Sequence, residues 1–299
     1  MNFKDNLTQK TTETEAVIKA YLPAEEGYQK TVLEAMNYSF LVGGKRLRPL
    51  LMKESFALFG GEGDLCNPFM AAIEMIHTYS LVHDDLPEMD NDELRRGMPT
   101  THVKYGVDMA VLAGDGLLNY AFETALQAFD VAGEKEFSRV VHAMKVLARK
   151  AGVYGMIGGQ TLDVEAEKKG IGLGLPEVSF IDEHKTAALL QASLMIGAIL
   201  AGAGEEEVHA METIGYNVGV AFQIQDDILD ITSSTEVLGK PVGSDEKNCK
   251  VTYVSLMGME AAEEKQKSLS DEAVTLLRGL GKEASFMEEL ILSLVHRKM

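Results

Sequence analysis

The apolar positions of this chain recur mostly at intervals of three and four, and glycines break the recurrence into segments. That spacing predicts amphipathic helices over residues 7–22, 25–42, 50–59, 67–82, 107–128 and 134–151. The second ends at Gly43-Gly44, a helix-stop signal, and Gly60-Gly61-Glu62-Gly63 breaks the third. Met156 opens another helix, and residues 176–201 and 205–230 form two long, strongly apolar ones, while 170–174 reads as a loop. No stretch alternates with the period of a strand. The expected class is therefore all-α, a single domain over residues 1–299 with long helices around a central cavity.

Two of these helices end abruptly in carboxylates. The 67–82 helix runs into Asp84, Asp85, Glu88, Asp90, Asp92 and Glu93, after which the charge reverses at Arg95 and Arg96. On an ideal helix, at about 100° per residue, Asp84 shares a face with Glu88 but not with Asp90. Pro87 lacks an N–H and clashes with the carbonyl four residues back, so the helix should stop or kink there and let Asp90 swing towards Asp84. The 205–230 helix ends in Asp226, Asp227 and Asp230, with Asp226 and Asp230 about 40° apart on one face. Crowded carboxylates repel unless a cation joins them. Mg²⁺ binds one or two carboxylates and completes its shell with water and substrate phosphates, and the adjacent arginines suit those phosphates. Either end alone also reads as a solvated acidic helix terminus. Two in one helical protein point instead to a cavity holding several Mg²⁺ between them.

Basic groups flank these ends. Gly43-Gly44-Lys45-Arg46-Leu47-Arg48-Pro49 places three cations beside two glycines, which allow close backbone approach to a polyanion. A second basic flank holds Lys240, Lys247 and Lys250. A different metal chemistry is also written in the chain: Glu74 with His77 and Glu206 with His209 match the Glu-x-x-His pattern of helical di-iron proteins. That reading needs an inward Glu on two further helices, and the polar start of the second helix suggests that Glu206 and His209 face solvent.

Composition narrows the partners. The 299 residues carry a formal net charge of -18, which argues against nucleic-acid binding and leaves local basic groups to recruit any anionic substrate. Cys66 and Cys249 are the only cysteines, with no metal-like spacing, as suits a reducing cytoplasm. The N-terminus lacks the apolar core of a signal peptide. The uncharged run 186–204 carries Gln191, Ser193 and many small residues, so it is expected to be a buried helix and not a membrane span.

Taken together, these motifs resemble the short-chain trans-prenyl diphosphate synthases, and the bacterial farnesyl diphosphate synthases most. The resemblance covers nearly the whole chain. It is carried by 43–49, by Asp84 to Asp90 with Arg95-Arg96, and by Gly158-Gly159-Gln160 with Asp163. Lys185-Thr186, then Gln223 with Asp226, Asp227 and Asp230, then Lys240, Lys250 and Thr252-Tyr253 complete the order. Met98 after Gly97, and Lys247-Asn248-Cys249 before Lys250, depart from the family pattern without removing a ligand.

The resemblance implies an isoprenoid synthase fold with two adjacent diphosphate sites. In the first, Asp84, Asp90 and Asp226 would hold three Mg²⁺ on the allylic diphosphate, with Mn²⁺ a possible substitute. Arg95, Lys185 and Lys240 would help, and Asp85, Asp227 and Asp230 would complete or support the clusters. In the second, Gly44, Lys45, Arg48, His77 and Arg96 would bind isopentenyl diphosphate without metal, and Lys250 belongs to the same substrate-binding set. Ionisation would leave an allylic carbocation stabilised by dipoles of Lys185, Thr186 and Gln223, with Phe222 and Tyr79 read as core aromatics. No side chain need act as general base. His83 is read as a packed neighbour.

Product length in this family should depend on residues one turn above the first aspartates, here Tyr79 and Ser80. An aromatic five positions before Asp84 fits a C15 product, so farnesyl diphosphate from dimethylallyl or geranyl diphosphate is expected; geranylgeranyl diphosphate (C20) is the alternative. A class I terpene cyclase would need neither the Lys45/Arg48 site nor the second acidic end. A non-catalytic subunit of a heteromeric synthase would normally have lost part of a cluster. The family also implies a cytoplasmic homodimer.

Overall fold

Each helix starts and stops where local chemistry allows. The structure, a computed structural model, describes residues 2–232 and 251–295. Helix α1 (Phe3–Lys19) is capped by Asn2, whose side chain accepts the Asp5 N–H at 2.9 Å. Helix α2 (Lys30–Leu41) ends just before Gly43-Gly44, and α3 (Leu47–Leu58) gives way to the glycines at 60–63. Helix α4 (Asn67–Asp84) has a proline in its first turn and stops three residues before Pro87. There follow α5 (Thr101–Tyr105), α6 (Val107–Leu126), α7 (Ala128–Val131), a 3₁₀ turn (Glu134–Glu136) and α8 (Phe137–Ala151). Next come α9 (Met156–Lys169), α10 (Leu175–Ile181), a π turn (Asp182–Ala187), α11 (Ala188–Ala201) and α12 (Glu205–Thr232). The described chain ends with α13 (Tyr253–Met257), α14 (Met259–Gly279) and α15 (Ser285–Val295). The class is all-α, as the periodicity predicts.

One small sheet appears where the sequence shows no strand period. Strands β1 (Leu94–Arg95) and β2 (Met98–Pro99) pair antiparallel, Arg95 opposite Met98. The two linking residues, Arg96 and Gly97, both have positive φ, 54° and 77°. That is the backbone of a two-residue hairpin turn whose twist matches its strands. Two-residue strands leave no alternation to read in a sequence.

The described chain divides into two compact units, Met1–Met144 with Ile199–Gly202, and Lys145–Ala198 with Ala203–Met299. In the first, α4 is buried on nearly every side, with Phe69, Met70, Ile73, Met75 and Ile76 fully inaccessible. Its main partner is α6, whose Ala110, Ala113, Gly114 and Ala121 allow close approach. A Cβ at Gly114 would lie 2.0 Å from His83 Nε2, so the glycine is what admits that imidazole.

In the second unit, α12 packs on α14 and on the π turn. A Cβ at Gly215 would meet the Gln191 backbone, and one at Gly219 would meet Ala187, so both glycines set how near these elements come. The apolar run from Leu175 to Ala201 is long enough to cross a membrane, but 78% of its most apolar window is buried inside the protein. Its polar Gln191 is satisfied by Lys150, which also bonds Glu212, both at 2.8 Å. The run is a core helix.

Candidate active site

In the first unit the acidic end of α4 folds back on itself. After Asp85 the chain tightens through Leu86 N–H to His83 O at 3.2 Å, and Asn91 N–H closes on Leu86 O at 3.0 Å. Within that turn the Asp90 amide donates to the Asp84 carbonyl at 2.9 Å. Asn91 sits at φ 54°, a left-handed conformation that asparagine tolerates. Thus Asp90 is returned to Asp84, as Pro87 predicts. Asp84 is half-buried and Asp90 exposed.

Asp85 takes a different role from its neighbours. It is 3% exposed, and Arg95 binds it in a fork, Nε at 2.8 Å to Oδ1 and 3.0 Å to Oδ2, with Nη2 at 2.5 Å to Oδ1. Burial pushes the Asp85 carboxyl above its ordinary value and Arg95 opposes that. Asp85, expected to complete or support the acidic cluster, turns both oxygens to Arg95, the arginine expected beside the allylic diphosphate, and Asp92 lies 3.6 Å from the same guanidinium. The hairpin turn explains the split between consecutive arginines. Arg95 reaches Asp85, while Arg96, in the left-handed turn, donates through Nη1 to the Gly43 carbonyl.

Arg96 therefore lies along Gly43 and Gly44. A Cβ at Gly44 would stand 2.8 Å from the guanidinium, and both glycines have positive φ, 101° and 139°. The close approach expected for a ligand is made here by a side chain. Across the same loop, Arg46 is 2% exposed and bonds buried Glu74 at 2.8 Å and the Phe40 carbonyl at 2.7 Å. That ion pair removes Glu74 from any di-iron set, and Glu206 and His209 are exposed, as anticipated. Arg48 is half-buried, its Nε without a hydrogen-bond partner, and Lys45 is exposed.

His77, one turn beyond Glu74, is held well below its ordinary pKa by burial and then by Arg48, Arg96, Arg95 and Arg46. It is neutral near pH 7, in the field of four guanidiniums. That surplus of cations, with the orphaned Arg48 Nε among them, fits an anion. Below the aspartates, Tyr79 is buried and meets the His83 ring edge-on at 5.8 Å; burial, then Asp84, raises its hydroxyl to about 12. His83 Nε2 lies 3.1 Å from the Val111 carbonyl, so His83 is a packed neighbour, as expected. Ser80 donates to the His77 carbonyl at 2.9 Å.

In the second unit the π turn is the positioning element, and nothing in the sequence period announces it. Its consecutive Lys185 and Thr186 are sent to different helices. Lys185 Nζ bonds Asp163 of α9 at 2.5 Å, and Thr186 Oγ1 donates to Gln223 Oε1 of α12 at 3.2 Å. Gln223 Nε2 in turn donates to Asp227 Oδ1 at 3.1 Å. Gly159 permits this: a Cβ there would lie 2.2 Å from the Lys185 backbone nitrogen. Asp227 and Asp230 are buried at 3% and 1% exposure, whereas Asp226 and Phe222 are half-buried. The expected Lys240 and Lys250 lie outside the described residues. The pairing of Arg46 with Glu74 has no local signal in the sequence, because 28 residues separate the two.

The acidic donors fit a hard divalent cation. Asp84 and Asp90 of the first unit offer only oxygen, as does Asp226 of the second, and among the described residues no three or more His, Cys, Asp or Glu side chains gather into a group that could hold a metal by themselves. Mg²⁺ suits such open donor sets because substrate phosphates complete its shell.

A family model described as polyprenyl synthetase matches residues 29–286. The chain is 43% identical over 264 residues to the farnesyl diphosphate synthase of Geobacillus stearothermophilus, covering 87% of this chain and 86% of that one. It is 46% identical over 249 residues to the heterodimeric geranylgeranyl pyrophosphate synthase large subunit 1 of Arabidopsis thaliana, covering 82% of this chain but spanning only 66% of that protein's length. A geranyltransferase from Helicobacter pylori, crystallised with magnesium and isoprenyl diphosphate, superimposes with a TM-score of 0.82 at 33% identity over 99% of this chain and 97% of that one.

Proposed function

Because this chain belongs to the polyprenyl synthetase family, we propose that it joins isopentenyl diphosphate head-to-tail to dimethylallyl or geranyl diphosphate, ending at farnesyl diphosphate (C15). The observation that carries this reading is the division of charge within the first unit. Asp84 and Asp90 are tied together at an acidic end, while the charges of Arg48 and Arg96, after burial, help to keep His77 neutral. The first arrangement suits a cation-bridged diphosphate and the second a diphosphate bound without metal.

In this reading the residues that would take up Mg²⁺ are Asp84 and Asp90 at the first acidic end and Asp226 at the second. When bound, the cation stabilises negative charge developing on the departing diphosphate. Asp85 orients Arg95 at the rim of that site, and Asp227 orients Gln223. Lys185 and Lys240 supply further positive charge. Ionisation breaks the allylic C–O bond; Thr186 and the Gln223 amide oxygen present dipoles to the resulting cation without capturing it. The isopentenyl double bond attacks C1, and the proton lost passes to the released diphosphate. Lys45, Arg48, His77 and Arg96 hold isopentenyl diphosphate, the imidazole contributing an N–H donor without adding to the cationic repulsion.

Tyr79, buried five residues before Asp84, supports a C15 end point by closing space below the acidic end. Relatives bearing both farnesyl and geranylgeranyl names make C20 the second reading. A homodimer in the cytoplasm completes the proposal. The test is incubation of purified protein with Mg²⁺, isopentenyl diphosphate and, separately, dimethylallyl, geranyl and farnesyl diphosphates, with products identified by mass. A C15 end product is expected; C20 replaces the end point, and no condensation from folded protein overturns the reaction.

A further inference from the structure

Arg46 has no role in the chemistry above, yet it is among the most constrained residues of the first unit. It sits at φ 47°, a left-handed conformation that a long side chain keeps only where its surroundings fix it. Those surroundings are Glu74 Oε1 at 2.8 Å, the Phe40 carbonyl at 2.7 Å, the Phe40 ring at 5.0 Å and Glu15 at 3.5 Å. Glu74 is itself 2% exposed. The chain turns from Gly44 into α3 through this one residue, with Lys45 just before it and Arg48 two after.

The Glu74 carboxylate does more than hold Arg46. It is the leading favourable charge on both Arg48 and Arg96, each weakened by burial and by the other guanidiniums nearby. One buried carboxylate thus bonds one arginine and favours the charge of two more. On the same helix face, one turn on, stands His77. Removing either member of a buried pair leaves an uncompensated charge, so the pair holds or fails as a unit.

We propose that Glu74, acting through Arg46, is a positioning residue for isopentenyl diphosphate: it locks the left-handed turn that sets Lys45 and Arg48 around the pocket before the diphosphate arrives. This rests on the assignment of that pocket given above. A preorganised anion site loses affinity when its support loosens, even though the support never touches the ligand.

The experiment is steady-state kinetics on Glu74→Gln, a near-isosteric change that removes only the charge, with isopentenyl diphosphate and geranyl diphosphate varied in turn. It is paired with calorimetric titration of isopentenyl diphosphate in the absence of metal. The expected result is a KM for isopentenyl diphosphate raised about tenfold with the KM for geranyl diphosphate within about twofold, and a matching loss in calorimetry. An unchanged or lowered isopentenyl KM overturns the proposal, because a carboxylate acting only as opposing charge would improve anion binding on removal. Equal rises in both KM values overturn it too, as the mark of a general loss of structure. Should Glu74→Gln not fold, Arg46→Lys serves: it keeps the charge but cannot reach both Glu74 and Phe40, and a rise of at least about threefold is expected, no rise overturning the idea. Wild-type protein that condenses but binds no isopentenyl diphosphate without metal overturns the pocket assignment first, and this inference with it.

Discussion

The amide of Asp90 donates to the carbonyl of Asp84 at 2.9 Å. Six residues apart, these two would lie on different faces of a continuous helix. The bond exists because Pro87 ends α4, and the turn that follows carries Asp90 back. Asp85, between them in the chain, is buried and held by Arg95 in a fork.

That arrangement predicts a shared dependence on Asp84 and Asp90. Asp84→Ala and Asp90→Ala should each lower turnover by at least about a hundredfold, the scale on which loss of a charge-stabilising group acts, and should raise the Mg²⁺ concentration needed for half activity. Helicity by circular dichroism should stay unchanged. A variant retaining most of its activity at ordinary Mg²⁺ would remove that residue from the metal set.

Gly44→Ala should act on one substrate more than the other. Its φ of 139° is strained for alanine, and the new Cβ would press on the Arg96 guanidinium at 2.8 Å. The conformational cost is about 1–3 kcal/mol. The KM for isopentenyl diphosphate should rise while that for the allylic substrate stays nearly level, in assays run beside thermal unfolding. A rise confined to the allylic KM would contradict the placement of Arg96.

Stability should fall on mild acidification, and His77 should be a cause. Its folded pKa lies well below its ordinary value of about 6.5, through burial and then the four arginines. Between those two values the unfolded chain binds more protons, so the contribution is complete above about pH 6.5 and shrinks as pH falls. Asp85, raised by burial, works in the opposite direction at lower pH, where the folded chain holds its proton more readily. Comparing thermal midpoints at about pH 7.5 and 5.5, which bracket the ordinary histidine pKa, wild type should lose more than His77→Gln. Equal losses would clear His77.

Tyr79→Ala should lengthen the product. The ring is buried against His83, which Gly114 admits and the Val111 carbonyl faces. Removing it opens a cavity directly beneath the acidic end. Mass analysis should show C20 or longer diphosphates, and an unchanged C15 product would mean that the limit lies elsewhere.

Much of this was written locally. Helix periodicity marked α4, α6, α9 and α12, because amphipathic spacing survives whatever the helices later pack against. Gly43-Gly44 and Pro87 marked stops, because their effect is confined to a residue or two of backbone. The acidic clusters and the basic segment were visible for the same reason: charge density is a property of neighbours in the chain. The sequence by itself therefore determined an all-α class, where the acidic ends fall and which stretches carry positive charge.

What only the tertiary structure decided is how those charges divide. Asp84 and Asp85 are adjacent and alike in sequence, yet one stays half-open and the other is buried on Arg95. Arg95 and Arg96 are likewise consecutive, but a two-residue hairpin turn sends them to Asp85 and to Gly43. Lys185 and Thr186 part in the same way, across a π turn that Gly159 makes room for. Arg46 reads as one more cation until Glu74, 28 residues away in the chain, claims it. A charged side chain's role depends on which partner shares its low-dielectric surroundings, and those partners come from other elements. Residue type sets what a group can bind; packing sets what it is left free to bind.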